Sequence, residues 1–130
     1  MVKYIPSLGG SMKVARGAGR FLGTGNVVID VGFTPKLIRI FAAATNNSGG
    51  GSACLGSATS IDNQSGVLIA GGSNAYIFYN KVIYLTDDIG TTTIIDANIS
   101  NIGPTSFTLN ITTFNNVMRN AYEWEAFGFE

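Results

Sequence analysis

The stretch GTGNVVIDVGFTPKLIRIF, residues 23–41, decides how this chain is read. Val27, Ile29 and Val31 alternate with Val28 and Asp30, Gly-Phe-Thr-Pro then turns the chain, and a second alternating run follows from Leu37 to Phe41. Apolar residues recurring every second position describe a pleated strand, so the segment is strand, turn, strand. Near the other end, NAYEWEAFG (residues 120–128) repeats the pattern. Tyr122, Trp124 and Ala126 point one way there, and Glu123, Glu125 and Phe127 the other.

Outward from these anchors, short strands are expected around residues 53–58, 66–70, 75–79 and 81–86, with two longer ones over 92–100 and 105–113. Phe107, Leu109 and Ile111 face inward in the last of these. Asp62 to Gly66, Gly71 to Asn74 and Asp87 to Gly90 supply the turn residues between them. Thr45 to Ser52, TNNSGGGS, reads as a flexible loop. No window carries helical periodicity, so the chain is all-β: a small antiparallel β-sandwich, jelly-roll-like, over residues 23–130. Residues 1–22, rich in Gly and basic residues, read as an extended arm with a short strand near Met12 to Ala15.

One domain of 130 residues buries roughly two thirds of its unfolded surface. Only 12% of residues are charged and the formal net charge is zero, so little self-repulsion keeps copies apart. Six of the eight basic residues precede residue 40 (Lys3, Lys13, Arg16, Arg20, Lys36 and Arg39), and seven of the eight acids follow it. Complementary halves of this kind steer assembly, and Lys13, Arg16 and Arg20 are the candidate docking residues. Six scattered charges without aromatic platforms make no nucleic-acid footprint. No apolar run reaches the length of a membrane helix or a signal segment, so a cytosolic site of synthesis and no membrane insertion are expected.

The candidate chemistry is thin. With no histidine, Ser-His-Asp and Cys-His catalysis are excluded. Cys54, the single cysteine, forms no internal disulfide and reads as a small buried hydrophobe. Gly17-x-Gly19 is no dinucleotide fingerprint and reads as part of a flexible arm. Glu123 and Glu125 lie about 7 Å apart on one strand face, a glycosidase-like spacing. Nothing sets their pKa values apart, so a solvent-facing or inter-subunit edge is expected. Asp87-Asp88 reads as a plain turn. Tyr79 and Asn80 form a candidate receptor- or sugar-binding pair, while Tyr76 and Phe78 share the opposite face and at least one aromatic face is core. No cofactor or metal is expected, and no enzymatic activity.

Gly23-Thr24-Gly25, the strand, Gly32-Phe33-Thr34-Pro35-Lys36 and the ending Asn120, Tyr122, Trp124, Ala126, Phe127, Gly128 together resemble a module of tailed-bacteriophage virion appendages: tail fibres, baseplates and related pieces. The resemblance implies a small antiparallel sandwich forming trimers or higher rings, attached to other virion proteins as a fibre, baseplate, neck or capsid-decoration piece. A fibre tip would also meet host surface glycan. On physical grounds alone, Gly32 and Pro35 bracket a tight change of direction, Phe33 and Trp124 plug the core, and Tyr122 and Trp124 belong to a closing strand that pairs with the first.

Overall fold

A computed structural model describes residues 12–71 and 74–129. Ten strands and no helix occupy them: β1 (Met12–Gly19), β2 (Gly25–Asp30), β3 (Leu37–Asn46), β4 (Gly51–Ser60), β5 (Asn63–Ala70), β6 (Asn74–Tyr79), β7 (Ile83–Thr86), β8 (Thr93–Ile102), β9 (Ser106–Phe114) and β10 (Val117–Phe129). They form a six-stranded sheet in the order β1-β10-β3-β4-β5-β6 and a four-stranded sheet in the order β2-β9-β8-β7, with every pairing antiparallel. The expected β-sandwich is what the chain forms.

The core lies between the sheets and follows the two-residue period. On β3, Ile38, Ile40, Ala42 and Ala44 are buried, and on β9 Phe107, Leu109 and Ile111 meet them from the other sheet. Ile95, Ala97 and Ile99 of β8 and Cys54 and Ala58 of β4 complete the layer. Gly56 lets the two sheets come together, because a Cβ there would lie 1.8 Å from the Val82 carbonyl oxygen.

The Gly-Phe-Thr-Pro turn carries the chain from one sheet to the other, since β2 pairs with β9 and β3 with β10 and β4. Gly32 sits at φ +87°, a left-handed conformation that a Cβ would strain. The backbone N–H groups of Val31 and Gly32 both donate to the Thr105 carbonyl, at 2.8 and 3.0 Å. Pro35 is buried where no donor is needed, and Lys36 N–H donates to the Phe127 carbonyl at 2.7 Å. Phe33 is buried as expected. Trp124 is half-buried and meets Phe107 edge to face, ring centroids 5.7 Å apart.

Two expectations are revised. Thr45 to Ser52 is not a long loop: β3 runs to Asn46 and β4 starts at Gly51, leaving a four-residue turn. The Asn46 side-chain oxygen accepts hydrogen bonds from Ser48 N–H and Gly50 N–H, both 3.0 Å, which lets so short a connection close. The arm likewise divides. Residues 1–11 lie outside the described residues, but Met12–Gly19 is the edge strand β1, paired with β10 from Met12↔Phe129 to Gly19↔Tyr122.

Side chains of the closing motif explain this docking. Gly17 and Gly19 belong to a paired strand and not to a flexible arm; they leave room for aromatic rings of β10. A Cβ on Gly17 would lie 2.5 Å from Trp124 Nε1, and one on Gly19 would lie 2.8 Å from the Tyr122 hydroxyl. Phe21 then stacks on Tyr122 at 4.5 Å, and Asn120 clamps the Phe21 backbone from both sides. Its Oδ1 accepts from Phe21 N–H at 2.6 Å and its Nδ2 donates to the Phe21 carbonyl at 3.0 Å.

Candidate functional site

The two outer faces of the sandwich differ in chemistry. On the four-stranded sheet, Asn26, Asn110 and Asn98 sit side by side on β2, β9 and β8. Asp96 of that sheet accepts from the Thr112 hydroxyl and forms an ion pair with Lys81 at 3.2 Å, and Lys81 lies over the Tyr84 ring. Burial would raise the Asp96 pKa, but hydrogen bonds from Thr112 and Thr113 and the Lys81 charge outweigh it and hold the carboxyl below its ordinary value.

On the six-stranded sheet, Phe41, Leu55, Val67 and Ile77 stand directly opposite one another on β3, β4, β5 and β6. They are 52%, 48%, 43% and 68% exposed. Outward positions of a sandwich strand are ordinarily polar, so a four-strand apolar row facing solvent is the feature of the molecule most in need of a role. Beside it runs a row of smaller residues, Ala121, Ala43, Ala53, Ile69 and Ala75, on β10 through β6. On the other side lies a mixed row, Arg16, Glu125, Arg39, Ser57, Ser65 and Tyr79.

Two of the shallow hollows on this face lie over charged or small side chains. One, of about 630 Å³, has Arg16, Arg39, Phe41, Glu123 and Glu125 on its walls. The other, of about 440 Å³, lies over Ala43, Thr45, Gly51, Arg119 and Ala121, where small side chains leave the sheet bare. The Thr45 hydroxyl is buried there without a hydrogen-bond partner. Arg16 Nε pairs with Glu125 at 3.0 Å, whereas Arg39, Arg119 and Glu123 make no ion pair among the described residues.

The three basic residues expected to dock do not converge. Lys13 is half-buried on β1, Arg16 projects to the opposite side, and Arg20 lies beyond the strand's end. Tyr79 is 66% exposed on the outer face, and the adjoining Asn80 holds φ +64° while its N–H donates to the Gln64 carbonyl at 2.8 Å. Phe78 is buried, as one of the aromatic pair should be, and Tyr76 is left exposed at the edge. Asp87 builds a plain turn: Gly90 N–H donates to its carbonyl, and Thr91 N–H and hydroxyl donate to its carboxylate at 2.9 Å.

Among the described residues no group of three or more His, Cys, Asp or Glu side chains converges. Glu125 is occupied by Arg16 and Glu123 is exposed, as a surface edge requires. Reading one strand at a time missed the apolar row, because it spans four strands. The available signal was β3 itself: but for Arg39, LIRIFAAA is apolar on both faces, which points to a strand covered on both sides. Compared with protein-family models and with curated proteins, the chain finds no match.

Proposed function

We propose that the chain is a non-enzymatic structural subunit of a tailed-phage virion appendage, working as an oligomer that packs against copies of itself and other virion proteins. The observation that carries this is the exposed apolar face of the six-stranded sheet, where Phe41, Leu55, Val67 and Ile77 form one row across four strands. A surface so apolar and so poor in charge favours contact with another protein over solvent. The resemblance of the Gly32–Lys36 and Asn120–Gly128 motifs to appendage modules supplies the setting. The arrangement of these motifs supports it, since Phe33, Tyr122 and Trp124 each tie one end of the chain into the sandwich.

The test is immunogold labelling of purified particles released by the cells that encode the chain. Label at a defined position on the particle is expected. Particles without the chain would overturn the reading.

A second reading rests on Tyr79, whose exposed ring beside Asn80 has the form of a sugar-stacking platform for host surface polysaccharide. Glycan-array binding lost in a folded Tyr79→Ala variant is its expected result, and an array without signal would remove it.

A further inference from the structure

We propose that the outer face of the six-stranded sheet seats the same face of a second copy of this chain about a two-fold axis that runs across the strands. This deepens the assembly reading above and rests on it for the premise that copies meet; the geometry of the meeting comes from the register. A two-fold contact is self-complementary, so whatever residue i touches at j, j touches at i. An axis between the Phe41 row and the Ala43 row turns each onto the other, strand for strand. Phe41 then lies over the partner copy's small position 43, Leu55 over position 53 and Ile77 over position 75, each a large side chain meeting an alanine. Val67 and Ile69 meet at the one place where both are of middling size. Bulk on one row and hollow on the next, in register on three of the four strands, is the shape two aligned sheets need in order to interlock about 10 Å apart.

Charge falls into place under the same operation. On β10 the outward positions carry Arg119 at one end and Glu123 and Glu125 toward the other, with Ala121 between. The two-fold sets Arg119 of one copy over Glu125 of the other, with Glu123 one row away. Arg119 has no ion-pair partner within the chain among the described residues, and Glu125 already holds Arg16, so the contact extends that pair into an Arg16–Glu125–Arg119 chain of alternating charge across the interface.

The size is adequate. Strand spacing makes the face roughly 24 Å across, and the rows from Arg39 to Thr45 span roughly 20 Å along the strands. That is on the order of 500 Å² in projection before side-chain relief is added, against about 800 Å² of accessible surface per partner in a standard interface. The polar Asn and Thr face of the four-stranded sheet is left outside, in water. Where the resemblance implies trimers or rings, this interface adds that copies join in pairs, so the particle holds an even number.

Light scattering across a dilution series, on the full chain and three variants, tests this. The wild type is expected as a dimer or an even multiple. Leu55→Glu is expected as half that mass, with an unchanged far-ultraviolet dichroism spectrum showing that the fold survives at a position already half exposed. Arg119→Glu, which sets like charges over Glu125, should raise the dissociation constant about tenfold, and Arg119→Ala should raise it by less. A monomeric or trimeric wild type, or a folded Leu55→Glu variant of unchanged mass, would overturn the proposal. Dimers of a chain that never labels particles would instead sink the appendage reading and leave this interface standing.

Discussion

The ring of Phe33 lies against the backbone of Gly128, so close that a Cβ on Gly128 would stand 2.6 Å from Phe33 Cδ2 and 2.6 Å from the Thr34 carbonyl oxygen. The two motifs that frame the chain thus meet in one contact, ring on bare backbone. One of the opposing atoms is main chain and cannot rotate away. Gly128→Ala is therefore expected to destabilise the fold by about 1–3 kcal/mol, as overpacking does. A denaturant titration measures it, and an unshifted midpoint would mean that the turn yields freely.

Asn120 holds Phe21 by two hydrogen bonds, and among the described residues β1 has no strand on its other side. Asn120→Ala leaves the Phe21 N–H without its acceptor, at a cost of about 1–2 kcal/mol. Local opening should carry most of that cost. Hydrogen exchange is expected to speed up about tenfold or more for Phe21 and neighbouring β1 amides while β8 and β9 stay protected. Equal acceleration everywhere would show that β1 docks through the rest of the sheet instead.

Burial pushes the Cys54 thiol up to about 11 from its ordinary 9.0, against hydrogen bonds from the Tyr84 and Ala42 backbone that act to lower it. Below the unfolded value both states are protonated and pH has no effect through this group. Between about 9 and 11 the unfolded thiol ionises while the folded one does not, so stability drops by about 1.4 kcal/mol for each pH unit. Cys54→Ala should remove that part of the alkaline slope. Urea midpoints for the two proteins, compared at neutral and at alkaline pH, provide the check; parallel slopes would refute it.

Asp96 works in the opposite direction. Its carboxyl titrates below the ordinary 3.8, despite burial that would raise it, because Thr112, Thr113 and Lys81 favour the anion. The stabilisation is present above the unfolded value and is lost as pH falls through the folded one. Asp96→Asn should flatten the acid limb of the stability profile and leave the alkaline limb alone. An acid limb of unchanged steepness would assign acid sensitivity to other carboxylates.

Most strands were legible because residues such as Phe107, Leu109 and Ile111 alternate with Thr and Asn, and one buried face forces that period. Asn46 shows where legibility stopped: a composition of Asn, Ser and Gly marks a turn, but a single side chain accepting two backbone N–H groups set its length. Gly17 and Gly19 carried no local signal of pairing, since what orders them is the pair of rings on β10, more than a hundred residues away in sequence. The apolar outer row was hidden for a related reason. Each of its members sits alone within its own strand, and only the register aligns Phe41 with Leu55, Val67 and Ile77.

The clamp between Phe21 and Asn120 joins residues 99 positions apart, and among the described strands β1 pairs with β10 alone. On a ribosome, the segment translated earliest among the described strands must therefore wait for the one translated latest. Loop closure over that span is slow relative to hairpin formation, and β3 to β6 can pair as successive hairpins in the meantime. The nascent sandwich thus carries an open edge on β3, beside an uncovered apolar face, until β10 arrives. Assembly of copies is held back by the same timing, because Arg119, Glu123 and Glu125, the charges that align one sheet on another, all arrive with that final strand.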